Sequence, residues 1–163
     1  MPPVPGRLFL GEQVDPSSHQ RRGTVVALDP ASLTTHGVIV GMTGSGKTGL
    51  GIGLLEEALL ADVPTLIIDP KGDLGNLLLT FPNLAPEDFA PWVEAPASGP
   101  DPAAAATQAA AWRDGLASWG IGPERIAELR QKAAFTIFTP GSQAGVPLNL
   151  VGGLGEISGD ATD

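Results

Sequence analysis

The residues Gly41-Met42-Thr43-Gly44-Ser45-Gly46-Lys47-Thr48 have the spacing G-x-x-x-x-G-K-[ST], and no other stretch of the chain restricts its fold as much. This pattern, the P-loop, works as the turn between a strand and a helix. Gly44 and Gly46 let the backbone take angles and close approaches that a Cβ would forbid, so that successive N–H groups face one anion. Lys47 adds a point charge. Thr48, on the first turn of the helix, can offer its hydroxyl to magnesium, and the helix N-terminus adds partial positive charge toward the same place. The flanks suit the motif: Gly37-Val38-Ile39-Val40 reads as a short buried strand, and Gly46 to Ala61 as a helix with Leu50, Leu54 and Ala58, and Ile52, Leu55 and Leu59, spaced by three and four. Gly49, Gly51 and Gly53 weaken that helix, which predicts close packing of its face on a sheet. The expected ligand is a nucleoside triphosphate with Mg2+. Gly41, Thr43, Gly44, Ser45, Gly46, Lys47, Thr48 and Gly49 form its cradle, Lys47 is the catalytic cation and Thr48 a metal ligand.

Val63-Pro64-Thr65-Leu66-Ile67-Ile68-Asp69 is a continuous apolar run of the kind a parallel sheet buries on both faces. With the P-loop helix before it, it predicts a right-handed strand-helix-strand unit and hence an α/β fold. Asp69-Pro70-Lys71-Gly72-Asp73 begins at the carboxyl end of this strand, where ligands of open α/β sheets bind, so Asp69 is a candidate catalytic group and a metal ligand through water. The competing reading makes it a polar turn residue bonded to its own backbone. The run also passes for a Walker B strand, and Asp-x-x-Gly for the magnesium-sensing turn of GTPases.

Before the P-loop, Leu8-Phe9-Leu10 and Thr24-Val25-Val26-Ala27-Leu28 predict a β hairpin around the turn-rich stretch 15–20. Beyond Phe81 the chain turns to proline and alanine as far as Pro102, with a short helix expected near Glu87 to Trp92. Two helices follow, about Ala103 to Trp119, with Ala105, Ala109, Trp112, Leu116 and Trp119 in one stripe, and about Pro123 to Ala133. The tryptophans are expected in the core. Ala134 to Thr139 is expected as a third core strand closed by the turn Pro140-Gly141-Ser142. The divisions are then a flap over 1–34, a nucleotide-binding core over 35–151 and a loose tail over 152–163.

At 163 residues, with 42% hydrophobic content, the chain is long enough to bury a core, and its lack of cysteine excludes disulfides and thiolate metal sites. No apolar run approaches the roughly 20 residues of a membrane helix, and the N-terminus lacks the apolar segment of a secretion signal, so a cytoplasmic protein with no membrane partner is expected. The net charge of −9 argues against a nucleic-acid grip by this chain, because phosphate-binding surfaces are basic. Arg125, Arg130 and Lys132, beside Glu124 and Glu128, read as a solvated helix face.

Taken together, His36 to Thr48 and Leu66-Ile67-Ile68-Asp69-Pro70-Lys71-Gly72-Asp73 resemble the HerA/FtsK group of ring-forming ATPases, above all HerA-like helicases and DNA translocases. In that group Asp-Pro-Lys-Gly directly follows the P-loop helix, and a strand ending in Thr-Pro-Gly, here Thr139-Pro140-Gly141, comes later. The resemblance spans most of Leu8 to Leu150. It implies a RecA-like (ASCE) P-loop sheet with flanking helices, ATP as the nucleotide, a hexameric homo-oligomer and hydrolysis coupled to DNA movement in the complete protein. His36 stands where the group often has a histidine and is given no chemistry. The group also has a strand ending in Asp-Glu, a polar sensor and an arginine finger. This sequence has no such Asp-Glu pair, which is expected of an incomplete domain. Two other readings remain open: a small-molecule kinase or GTPase, for which no acceptor or guanine-recognition motif is found, and a non-catalytic nucleotide-binding module.

Overall fold

The computed structural model describes residues 4–93 and 101–148, so the expected tail over 152–163 lies outside the described residues. The chain divides into two compact units, 1–133 and 134–163. The described residues form a mixed α/β structure with four α-helices, a β hairpin and a small parallel sheet.

The first unit opens on the hairpin of β1 (Leu8–Val14) and β2 (Arg21–Leu28), longer than its apolar residues alone predict. The pairing is antiparallel, from Leu8 opposite Leu28 to Val14 opposite Arg21, with irregularities between Phe9 and Gly11 and between Glu12 and Val14. Such bulges twist a two-stranded ribbon. Asp15 organises the turn: it accepts the amides of Ser17 and Ser18 and pairs with Arg22. The Ser17 hydroxyl, Arg22 and these amides together hold its carboxyl far below the usual carboxylate range.

Helix α1 (Lys47–Leu60) leaves the P-loop, and its far end is tied by Lys132, whose Nζ donates to Leu60 O at 2.8 Å and pairs with Asp62. A cation there complements the exposed carbonyls of a helix C-terminus. After one 3-10 segment (Gly75–Leu78), α2 (Pro86–Phe89), α3 (Pro102–Ala117) and α4 (Pro123–Lys132) follow. The α3 start is written locally: Asp101 caps the amides of Ala103 and Ala104 ahead of an alanine-rich run with proline at its first position. Its end is a glycine stop, with Gly120 at φ +69 and Ile121 N donating to Leu116 O at 3.0 Å. Leu84, Phe89 and Ala109 make the core of this helical part, with Phe81, Leu116 and Ile126 packed on it and the Phe81 and Phe89 rings edge to face at 5.1 Å.

Three expectations change here. The tryptophans are not uniformly core: Trp92 is 62% and Trp112 50% exposed, although Ala105 and Ala109 of the α3 stripe are buried. Of the expected solvated face, Arg130 and Lys132 stay exposed, while Arg125 is drawn in. Arg125 pairs with Glu57 on α1, Arg130 reaches Thr80 O, and Lys132 holds the end of α1. The third change concerns the strands flanking the motif. Residues 37–40 and 63–69 form no ladder with any described residue, and Val38, Val40, Leu66 and Ile68 are 84 to 86% exposed. An apolar run becomes a strand only when a neighbour accepts its backbone hydrogen bonds. Nor do the helix glycines meet a sheet closely: a Cβ at Gly49 or Gly53 would meet nothing within 4 Å, and one at Gly51 only Ile39 Cδ1 at 3.9 Å.

In the second unit, β3 (Phe138–Pro140) pairs in parallel with β4 (Val146–Leu148). The regular strand is thus shorter than the expected 134–139 and shifted toward the turn. Parallel strands usually need a long crossover. Here a tight loop suffices, because Gly141 takes φ +71, Gly145 N donates to Thr139 Oγ1 at 3.1 Å and Val146 N to Ile137 O at 2.8 Å. A Cβ at Gly145 would stand 2.7 Å from Ile137 O, so this loop requires glycine there.

Candidate functional site

The site is built on the turn from residue 41 into α1. Ser45 N donates to Met42 O at 3.1 Å, closing a first turn, and Gly44 and Gly46 then take φ +78 and +85. These are left-handed conformations that cost a side chain roughly 1–2 kcal/mol. Gly46 is the residue before the first helical one, so its reversal sets the direction in which α1 starts. Gly41 is constrained by space: a Cβ on it would collide with the Ser45 side chain and come within 3.3 Å of Lys47 Cγ.

The amides of Gly44, Gly46, Lys47 and Thr48 have no acceptor among the described residues, and the first intrahelical bond at this end is Leu50 N to Gly46 O at 2.9 Å. They are the orphan donors that every helix start carries. Clustered on an exposed glycine turn, with the positive end of a helix behind them, they make a concave anion receptor. Lys47 folds back over the turn and donates from Nζ to Met42 O at 2.6 Å, a bond that an anion in the cradle would replace. Thr48 is exposed on the first turn, and its hydroxyl has no protein partner among the described residues.

Asp69 caps its own turn. Its two carboxylate oxygens accept from Gly72 N at 2.8 Å and Leu74 N at 2.9 Å. These bonds, the one from Leu74 foremost, hold its carboxyl below the usual range, so it stays ionised at neutral pH. An ionised carboxylate can orient a metal-bound water, but here both oxygens are already engaged in shaping the turn.

A triphosphate fits the chemistry of these residues: unsatisfied amides and one ammonium on a single turn, with Gly41 closely packed against the Ser45 and Lys47 side chains. A magnesium ion fits less completely, with Thr48 as its first protein ligand. No group of three or more His, Cys, Asp or Glu able to hold a metal exists among the described residues. Magnesium bound with nucleotide takes few protein ligands and many from phosphate and water, so this set suffices for a metal that arrives with its nucleotide.

Sequence reasoning missed the Glu57–Arg125 pair, which ties the P-loop helix to α4. Glu57 also accepts the Phe9 amide at 2.8 Å, and its two partners lie 48 and 68 residues away. A glutamate on the buried side of a helix with glycines was the available signal. Among the described residues no helix is long and apolar enough to cross a membrane. Comparison with curated proteins and with solved structures gives no match. The family model for the central domain of helicase HerA matches residues 9–120, which include the hairpin, the P-loop, α1, the Asp69 turn and α3. The chain belongs to the HerA helicase central-domain family, and with that family it has the P-loop fold.

Proposed function

We propose that this chain binds ATP with Mg2+ as the P-loop region of a HerA-type DNA translocase. The observation that carries this reading is the turn at 41–48: two left-handed glycines, four amides without acceptors, and Lys47 and Thr48 on the first turn of one helix. Lys47 counters the β- and γ-phosphates, Thr48 ligates magnesium, and Asp69 sits at the rim as an ionised group for a metal-bound water. Magnesium supplies charge neutralisation between the phosphates. In this reading the apolar runs at 37–40 and 63–69 are strands of a RecA-like parallel sheet within a core over 35–151, and the hairpin over 1–34 is a flap on it. Movement of DNA, and a hexameric ring, are proposals that rest on the family. The charge of −9 supports a nucleotide-handling role for this chain itself over a DNA-gripping one.

Binding and turnover separate in this reading. Hydrolysis needs a group to orient the attacking water and a cation to meet developing charge, and an arginine finger alone contributes about 10³ to 10⁵ in rate. The candidate carboxylate, Asp69, has both oxygens on backbone amides. Calorimetry with Mg-ATP tests the proposal. Lys47→Ala removes charge-assisted bonds and should weaken binding by about 10- to 150-fold, while steady-state phosphate release by the wild-type chain stays below about 1 s⁻¹. Wild-type affinity in Lys47→Ala would refute the P-loop assignment, and fast Lys47-dependent release would show a catalytic base among these residues.

A further inference from the structure

Within the first unit, β1, α1, the Phe81–Val93 stretch, α3 and α4 line a half-open cavity of about 1120 Å³. Sites for small molecules have about 300–1,000 Å³ and are apolar with a few placed polar groups. The walls here follow that rule. Phe9, Phe89, Trp112, Ile126 and Leu129 present apolar surface, and Glu56 stands among them on α1. The charged groups beside Glu56 are accounted for: Glu57 accepts from Arg125 with one carboxylate oxygen and from the Phe9 amide with the other. The Glu56 carboxylate has no hydrogen bond or ion pair within 4 Å with any described residue.

We propose that this cavity binds a small amphipathic cation, an amine joined to a flat apolar body, with its ammonium on Glu56 and its body between α1 and the aromatic walls. The charge count fixes the sign. Arg125 is matched by Glu57, so Glu56 leaves one net negative charge at the wall, which repels an anion and leaves a neutral ligand without ionic gain. The shape follows from the helix, since Gly49 and Gly53 line the cavity and a Cβ at either would meet nothing within 4 Å. That bare strip lets a ring lie along the helix backbone, while Phe89 and Trp112 offer faces and edges to it. Burial pushes the Glu56 carboxyl above its ordinary value, with Arg125, which pairs with Glu57, opposing the shift only in part. The inference does not depend on the nucleotide reading.

The test uses the full chain and three probes of one shape: 1-naphthylmethylamine, 1-naphthylmethanol and 1-naphthylacetate, titrated by calorimetry. The amine should bind about tenfold or more tightly than the alcohol, and the carboxylate most weakly. Glu56→Gln should bring the amine to within about threefold of the alcohol. Gly53→Phe, which puts a ring on the bare strip of α1 where the ligand body would lie, should weaken binding of both, with circular dichroism confirming that each variant is folded. Equal affinity for amine and alcohol, undiminished amine binding in Glu56→Gln or in folded Gly53→Phe, or no binding of the amine to the wild type would each overturn the proposal.

Discussion

Replacing Glu57 by alanine should be the most damaging single change outside the P-loop, and the structure sets its size. Glu57 is 8% exposed and joins three elements: it lies on α1, pairs with Arg125 on α4 and accepts the Phe9 amide of β1 at 2.8 Å. Its removal leaves a guanidinium, four-fifths buried, without its anion, and a backbone N–H without an acceptor. Breaking a buried pair by deleting one partner costs about 3–5 kcal/mol. Arg125 keeps some solvent, which takes the lower end of that range, and the stranded amide adds about 1 kcal/mol. The expected loss is about 4 kcal/mol, or a fall of roughly 8–16 °C in Tm for a chain of this length. Thermal and urea unfolding followed by circular dichroism measure it. The pair Glu57→Leu with Arg125→Met separates the causes. With both charges gone and apolar bulk restored, the cost should shrink to about 1–2 kcal/mol, the residue being the Phe9 amide. If Glu57→Ala costs less than about 1 kcal/mol, the value of an exposed pair, or if the single changes at 57 and 125 add without coupling, the reasoning fails.

Gly46→Ala forces a Cβ onto φ +85, at a cost of roughly 1–2 kcal/mol; the turn should relax and disperse its amides, weakening Mg-ATP by about tenfold in calorimetry. Unchanged affinity would show that the left-handed turn is not what binds. Thr48→Ala should flatten the magnesium dependence of ATP binding while the metal-free affinity stays as in wild type, and equal dependence in both proteins would remove Thr48 from the metal. Glu56→Gln should stabilise the chain at neutral pH. Burial, opposed by Arg125 and reinforced by Glu57, raises the Glu56 carboxyl in the folded state, which therefore holds a proton that the unfolded state releases. Stability then falls as pH rises from the ordinary glutamate range, about 4.3, through the raised folded value. The urea midpoint of Glu56→Gln should exceed that of wild type at pH 7 and converge with it at acid pH. A gap that persists or widens in acid would contradict the sign.

The features legible in the sequence are those with local causes. The α3 start is specified by Asp101 and Pro102, its end by Gly120, and the reversal before α1 by Gly44 and Gly46; each acts on backbone within a few residues of itself. The candidate site was legible for the same reason, since its cradle is one short turn. What sequence reasoning misplaced depends on partners far along the chain. Arg125 reads as one charge of a mixed helix face until Glu57 is found opposite it. Trp112 reads as core because it continues the Ala105–Ala109 stripe, yet it is half exposed while Ala105 and Ala109 are buried. Asp69 lay between two readings, and its bonds to Gly72 and Leu74 are those of the turn.

The runs beside the motif carry the largest unrealised driving force in the described structure. In 37–40 the alternate residues Val38 and Val40 are bare, while Ile39 between them is half covered; in 63–69 the same holds for Leu66 and Ile68 around Ile67. One covered and one bare face on each run is the pattern of a strand that has a layer on one side only. Burying four such side chains is worth about 1.5–3 kcal/mol each, or roughly 6–12 kcal/mol, which equals the whole stability of an ordinary domain. These runs end at Gly41 and at Asp69, so whatever covers and pairs them also fixes the distance between the glycine turn and the Asp69 carboxylate. The cradle itself needs no such help, because its geometry comes from glycine backbone angles and a helix start. On the proposed reading, nucleotide binding rests on the turn, and catalysis on how the strands behind it are paired.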